Sequence, residues 1–321
     1  MKRLMRDLAV LLGVTLLVLG MDKLGAYSAL AAMLEPPPTA EHREADPLWP
    51  GESAAYLPPA PTPEPPPEAE EPEGREITPA LSPSDLHSTS RLTIDQHALL
   101  REGWSYTIPG EGPQVLILHT HSCEAYTPEG TDVYEESGDF RTLDESQSVI
   151  AVGDCLAQAL EARGFGVLHD RSLYDYPAYN GAYDRSGEAV RQLLELNPGI
   201  RIVIDLHRDS LGGRRTEYLL PDGAESAQVM LLLTTGENGL YHPNWRENLK
   251  LGLELQNRME LDHPGLARPL YLSPARYNQH LSPGSLLLEV GTDANTLAEA
   301  KRAVLFFADC LAAVLETHNE K

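Results

Sequence analysis

The sequence predicts an α/β domain, an open and mostly parallel sheet with helices on both faces, preceded by a membrane helix and a disordered Pro/Glu-rich linker. Three observations carry this expectation. From residue 91 onward, short apolar runs alternate with segments of helical period. Before that point proline and glutamate crowd the chain, and ahead of them one unbroken apolar run succeeds a cluster of positive residues.

In chain order, the first segment is MKRLMRDLAVLLGVTLLVLGMDKLGAYSALAAML, where Lys2, Arg3 and Arg6 precede the apolar run Leu8 to Met21. Positive residues on that side keep the amino terminus cytoplasmic and send the downstream chain across the membrane. A full span needs roughly 20 residues and the core of a cleaved signal is typically about 7–15, so an uncleaved single-pass anchor over residues 1–25 and a cleaved leader both fit. The anchor is preferred, and either way the remaining chain lies outside the cytoplasm. Residues 26–90, with LEPPPTAEHREADPLWPGE and PPAPTPEPPPEAEEPEGRE, hold more than half of the 26 prolines. Such a composition buries too little apolar surface to offset chain entropy and reads as a disordered spacer.

Residues 91–321 are expected to form the catalytic domain. QVLILH reads as a strand, SQSVIAVGDCLAQALEARG as an amphipathic helix ending at Gly164, FGVLHD as a strand, SGEAVRQLLELNPG as a helix and RIVIDLH as a strand. AQVMLLLTT, ARPLYLS and SLLLEVG continue the strands; NWRENLKLGLELQNRMEL and TLAEAKRAVLFFADCLAAVLE are the remaining helices. In sheets of this kind ligands bind beyond the carboxyl ends of the strands.

Bulk properties exclude some functions. Acidic residues outnumber basic ones 48 to 25, for a net charge of -23, which argues against nucleic acid as a partner. Cys123, Cys155 and Cys310 are too few and too scattered for a disulfide framework. The last two fall in apolar helical patterns and read as small core residues, and Cys123 reads as a small filler rather than a nucleophile.

Polar clusters fall where strands stop: His119, Thr120 and His121 after VLIL, Asp205 to Asp209 within DLHRD, and Glu289 in LLLEVG. Imidazoles and carboxylates converging in one crevice suit a catalytic zinc, which takes three protein ligands and keeps a fourth position open. His121 and Glu124 have a His-x-x-Glu spacing that lets both reach one ion, and His207 supplies a distant imidazole. His119 and His121, two apart on an extended chain, are expected to point the same way, one binding metal and the other orienting it or touching substrate. Asp205 is a candidate to fix the His207 tautomer or a buried structural carboxylate. Glu289, a lone carboxyl in an apolar strand, is the expected general base or acid, with pairing to Arg208 as the alternative.

These residues lie in a wider pattern. HTHSCEAYTP, VGDCLAQALEARGFGVLHD, YPAYNGAYDRS, IVIDLHRDS and RYNQHLSPGSLLLEVGTDANTLAEA resemble, in that order, the stage II sporulation protein P family over about residues 105–308. The resemblance implies a fold similar to the zinc-dependent muramoyl amidases and a peptidoglycan hydrolase with N-acetylmuramoyl-L-alanine amidase and endopeptidase activities, acting in engulfment at the mother-cell membrane. It implies stage II sporulation proteins D and M as partners. By position it carries metal and catalytic roles to His119, His121, Glu124, His207 and Glu289. In the zinc amidases a carboxylate ligand comes from the start of the first helix, where Glu145 stands, leaving Glu145 as the alternative to Glu124. On this reading Arg208 stabilises the developing oxyanion or binds a stem-peptide carboxylate. Tyr277 and Asn278 in RYNQ are candidates to bind glycan or stem peptide, with core capping by Tyr277 as the alternative. A carboxypeptidase-like zinc enzyme and a non-catalytic wall-binding module are the other readings of the same inventory.

Overall fold

The computed structural model describes residues 79–319 apart from 83–84, 131–132, 221–222 and 238. The expected anchor and most of the expected linker lie outside the described residues; among the described ones, no helix is long and apolar enough to cross a membrane.

The chain enters through β1 (Leu86–Ser88) and α1 (Gln96–Glu102), then runs β2 (Val115–Leu118), the hairpin β3 (Glu136–Gly138) and β4 (Arg141–Thr142), α2 (Val149–Glu161), β5 (Val167–His169), α3 (Ala182–Leu196) and β6 (Ile202–Asp209). A second hairpin, β7 (Tyr218–Leu219) and β8 (Glu225–Ser226), leads to β9 (Val229–Thr234), α4 (Trp245–Asp262), β10 (Leu270–Ser273), a 3-10 turn at Gln279–Leu281, β11 (Ser285–Thr292) and α5 (Leu297–Glu316). Every strand and helix expected from QVLILH onward is present. Helix starts follow their capping residues: Ser148 accepts from Ile150 N–H at the head of α2, and Thr296 with Glu299 forms a reciprocal capping box at the head of α5.

One sheet has the order β1-β10-β9-β11-β6-β2-β5. Every neighbouring pair is parallel except β11 with β9. The carboxyl ends of β2, β6 and β11 therefore share one edge of the sheet, and the amino ends of β9, β10 and β1 meet them there. Val115, Ile117, Ile204, Leu206, Leu288 and Val290 pack with α2, α4 and α5 on one face, while Leu116, Leu118 and Val203 pack with α3 on the other. Side chains alternate along a strand, so Asp205, His207 and Glu289 continue the α3 face beyond its apolar part.

The compositional boundary at residue 90 falls too late. β1 pairs with β10 from Leu86 to Ser88, and Ala80 N–H donates to Asn257 Oδ1 (2.7 Å). A strand of three residues carries no alternation long enough to read, and its place in the sheet comes from pairing with β10 rather than from its own sequence. Cys310 is buried in the core as expected, whereas Cys155 is only half-buried.

Candidate metal centre

Beyond Leu118 the chain leaves the extended conformation and turns through residues 120–122. His119 and His121 consequently face different ways. His119 is fully buried, with Nδ1 2.9 Å from Leu206 O and Nε2 2.8 Å from His169 Nε2, against Gly153 of α2, where an added Cβ would come within 2.7 Å of both rings. Burial first, then His169, pushes its pKa down to about 3. His121 instead turns toward β6: its ring lies 5.1 Å from that of His207, stacks on Tyr179 (4.6 Å, 25°) and meets the edge of Tyr183 (5.5 Å).

The turn carrying His121 and Glu124 is clamped from three sides. Ala125 N–H donates to Phe140 O and Thr142 N–H to Cys123 O in the β3–β4 hairpin, while Val149 N–H at the head of α2 donates to Glu124 O. From β6, Arg208 N–H donates to Glu124 Oε2 (3.2 Å) and its guanidinium donates to Ala125 O and Phe140 O (both 3.0 Å). Cys123 is buried in this turn; desolvation and then Asp175 push its thiol up to about 12, as suits a filler and not a nucleophile.

Within the clamp the Glu124 carboxylate lies between two imidazoles, Oε1 3.5 Å from His121 Nδ1 and Oε2 3.4 Å from His207 Nδ1. One ligand atom from each of His121, Glu124 and His207 lies within 4.8 Å of the others. Zinc bonds of about 2.0–2.1 Å at tetrahedral angles place ligand atoms about 3.4 Å apart, so small side-chain movements would close this set on one ion. The electrostatics point the same way. Burial alone would raise Glu124 and lower His207, but Glu124 is held well below the usual carboxylate range by His207 and His121, and His207 is raised well above its ordinary value by Asp205 and Glu124. Buried carboxylates that hold a neighbouring imidazole protonated form a place that demands positive charge.

Asp205 is also buried, accepting from Thr120 N–H (2.8 Å) and Thr120 Oγ1 (2.7 Å). Its Oδ1 lies 2.9 Å from His207 Nε2, but without hydrogen-bond alignment, so this nitrogen has no hydrogen-bond partner among the described residues. Next to His207 across the β6–β11 pair stands Glu289. Its Oε2 is buried without a hydrogen-bond partner among the described residues, and burial, then Asp209, pushes its pKa up to about 8. Just beyond it Gly291, at φ 65°, forms the break in register, and an added Cβ there would lie 2.9 Å from Ala227.

With this arrangement in view, the family model for Stage II sporulation protein P matches residues 57–312. The chain belongs to the stage II sporulation protein P family. It is 32% identical over 211 residues to Stage II sporulation protein P of Bacillus subtilis (strain 168), covering 62% of this chain and 50% of that protein, so it spans about half the length of the curated relative it matches. Among solved structures it is similar to the N-acetylmuramoyl-L-alanine amidase AmiC2 of Nostoc punctiforme (TM-score 0.37, 13% identity, 64% of this chain and 97% of that one). It is also similar to the amidase Ami1 of Mycobacterium abscessus (TM-score 0.40, 12%, 65% and 99%) and to the CwlD amidase of Clostridioides difficile in complex with the GerS lipoprotein (TM-score 0.38, 14%, 64% and 98%).

In this family member several expected site residues stand elsewhere. His119 continues the Val115–Ile117 side of β2 and faces α2, away from Glu124, whereas the turn that follows carries His121 to the other side. Glu145 is partly exposed and pairs with Arg171 (2.7 Å). Arg208 is buried and held by the carbonyls of Ala125 and Phe140, so it neither pairs with Glu289 nor presents those donors to a substrate. Asn278 donates to Tyr183 O (2.7 Å) and Ser186 Oγ (3.2 Å), tying the RYNQ turn to α3, and Tyr277 packs 5.2 Å from Tyr183. Conversely, the YPAYNGAYDRS stretch supplies Tyr179 and Tyr183 to the wall of the site. Tyr179 lies between His121 and Arg141, whose guanidinium is 5.1 Å over its ring and is paired with the buried Asp175. These tyrosines are visible as a motif but carry no spacing that assigns them a role.

Proposed function

We propose that this protein is a zinc-dependent peptidoglycan hydrolase acting in sporulation, which cleaves the amide between N-acetylmuramic acid and L-alanine. The observation that carries this reading is the cluster of His121, Glu124 and His207 beside Glu289, whose Oε2 is buried without a hydrogen-bond partner among the described residues. His121, Glu124 and His207 would hold the ion. A zinc ion in such a site supplies Lewis acidity toward an amide carbonyl and toward water.

The protein's own groups do the rest. Asp205 lies 2.9 Å from His207 Nε2 and draws that ring by charge, and Arg208 fixes the turn bearing Glu124, so the ligands are gathered before substrate arrives. Glu289, with a pKa lifted by burial into the working range, takes a proton from the attacking water and passes it to the leaving amine of L-alanine. Tyr179, Tyr183 and Tyr277 form an aromatic wall that limits water at the reacting bond. Endopeptidase cleavage of cross-links would use the same site. The apolar run Leu8 to Met21 after Lys2, Arg3 and Arg6 supports a single-pass membrane location with the domain outside the cytoplasm. Stage II sporulation proteins D and M are the partners that family resemblance suggests.

The test uses the full chain, stripped with chelator, reloaded with zinc and incubated with purified peptidoglycan. Metal analysis should find about one zinc per chain, and mass spectrometry should find intact stem peptides released from muramic acid. A chain that binds no zinc, or digests in which only terminal residues are removed, would reject the amidase reading.

A further inference from the structure

A groove of about 470 Å³ opens over β9, β10 and β1, lined by Leu86, His87, Met230, Arg268, Pro269 and Tyr271. Its size falls in the range of ligand clefts. It begins one strand from the candidate centre, because Met230 is the direct partner of Glu289 in the antiparallel β9–β11 pair. The same link is electrostatic. Arg268 Nη2 donates to Asp209 Oδ2 (2.7 Å), and Asp209 and Arg268 are both among the charges acting on Glu289. α3 covers β2 and β6 on this face, and the groove lies to the other side of β11.

We infer that this groove is the subsite for the peptide side of the substrate, and that Arg268 takes a free carboxylate of an acidic, extended stem peptide there. This rests on the amide-hydrolase reading above. Four observations favour a peptide acid over other occupants. The walls are aliphatic or aromatic and suit side-chain methylenes. The rings of His87 and Tyr271 stack on each other at 5.4 Å, so each already covers a face of the other that a sugar would otherwise use. Asp209 anchors the guanidinium through Nη2 and so fixes it at the groove wall, where a carboxylate can pair with it in a charge-assisted contact. In a chain of net charge -23, a cation at the groove wall is a selective handle for an anion.

The experiment measures binding by calorimetry to the full chain, with a synthetic L-Ala-D-Glu-diamino acid-D-Ala stem peptide and with its twin in which every carboxylate is amidated. The acidic peptide should bind more tightly than its twin. Arg268→Gln should weaken the acidic peptide about tenfold or more and leave the twin unchanged, the loss expected for one charge-assisted contact. His87→Glu, at an exposed position on β1 outside the Asp209 pair, should also weaken only the acidic peptide, which keeps the test valid if Arg268→Gln folds poorly. Equal binding of the two peptides, or parent-like binding of the acidic peptide by both variants, would overturn the inference. Release of stem peptides from intact peptidoglycan is read separately. Discrimination without release rejects the hydrolase reading, and release without discrimination rejects the groove.

Discussion

Glu289 and His207 are Cα partners on adjacent parallel strands, so the lone carboxyl of LLLEVG and the imidazole of DLHRD stand side by side on the α3 face of the sheet. Each departs from its ordinary charge for a reason of its own. His207 is drawn to positive charge by Asp205 and Glu124, whereas Glu289 is held toward the neutral form by burial and Asp209. Both shifts favour the proton-bound form, so a cation taken up beside Glu124 and His207 would replace the imidazolium charge and leave Glu289 as the carboxyl that exchanges a proton.

Glu289→Gln keeps the shape of the side chain and removes its ability to accept a proton. Its turnover on peptidoglycan should fall by about 10²–10⁴, while zinc per chain, measured by metal analysis, should not change. Lost zinc together with lost turnover would make Glu289 a ligand instead of a base.

His121 and His119 separate in the same measurement. His121→Ala removes one of the three clustered groups from a partly open position and should abolish stoichiometric zinc with little effect on folding. His119→Ala should retain zinc but lose roughly 2–4 kcal/mol of stability in urea unfolding, because Leu206 O and His169 lose a buried partner. Loss of zinc in His119→Ala with stability intact would contradict the geometry.

Arg208→Lys tests whether this residue orders the site or meets the substrate. A lysine cannot reproduce the fork that spans Ala125 O and Phe140 O, so stability should fall by about 2–3 kcal/mol and zinc should bind more weakly as the Glu124 turn loosens. A variant with unchanged stability and zinc affinity, but slower turnover, would restore Arg208 to the oxyanion.

The sequence shows the sheet well because its strands and helices have strong and different periods, from VLIL through the long apolar face of α5. Residues whose roles depend on a strand register, such as His207 and Glu289, are legible because they stand at or near strand ends. The roles of His119, Arg208 and Asn278 are not. Each is decided by where a turn sends the side chain, and a turn after Leu118, a hairpin at Phe140 and a left-handed residue at Asn278 leave no periodic trace. β1 is hidden for a similar reason, since three residues at the end of a proline-rich stretch gain their conformation from β10, far along the chain.

Acid should weaken the fold through two imidazoles, the buried His242 and the half-buried His280. His242 is buried at the carboxyl end of β9, with Nε2 3.1 Å from Thr234 Oγ1 and Nδ1 without a partner among the described residues. Burial, then His280 and Arg276, pushes its pKa down to about 3; burial, then Arg276 and Arg191, pushes that of His280 down to about 4. Both are neutral in the folded protein while the unfolded chain titrates near 6.5. The unfolded state therefore binds more protons below that pH, and the stability these groups contribute is present above about 6.5 and lost as the pH falls toward their folded values. One such histidine changes stability by at most about 1.4 kcal/mol per pH unit in that window. His242→Gln can keep the bond to Thr234 without titrating, so its urea midpoint should fall less steeply than the parent's between pH 6.5 and 4, with the two curves parallel above pH 7. Carboxylates shift both proteins alike, so the difference isolates the imidazole, and curves that stay parallel down to pH 4 would show that His242 is reached by protons without unfolding.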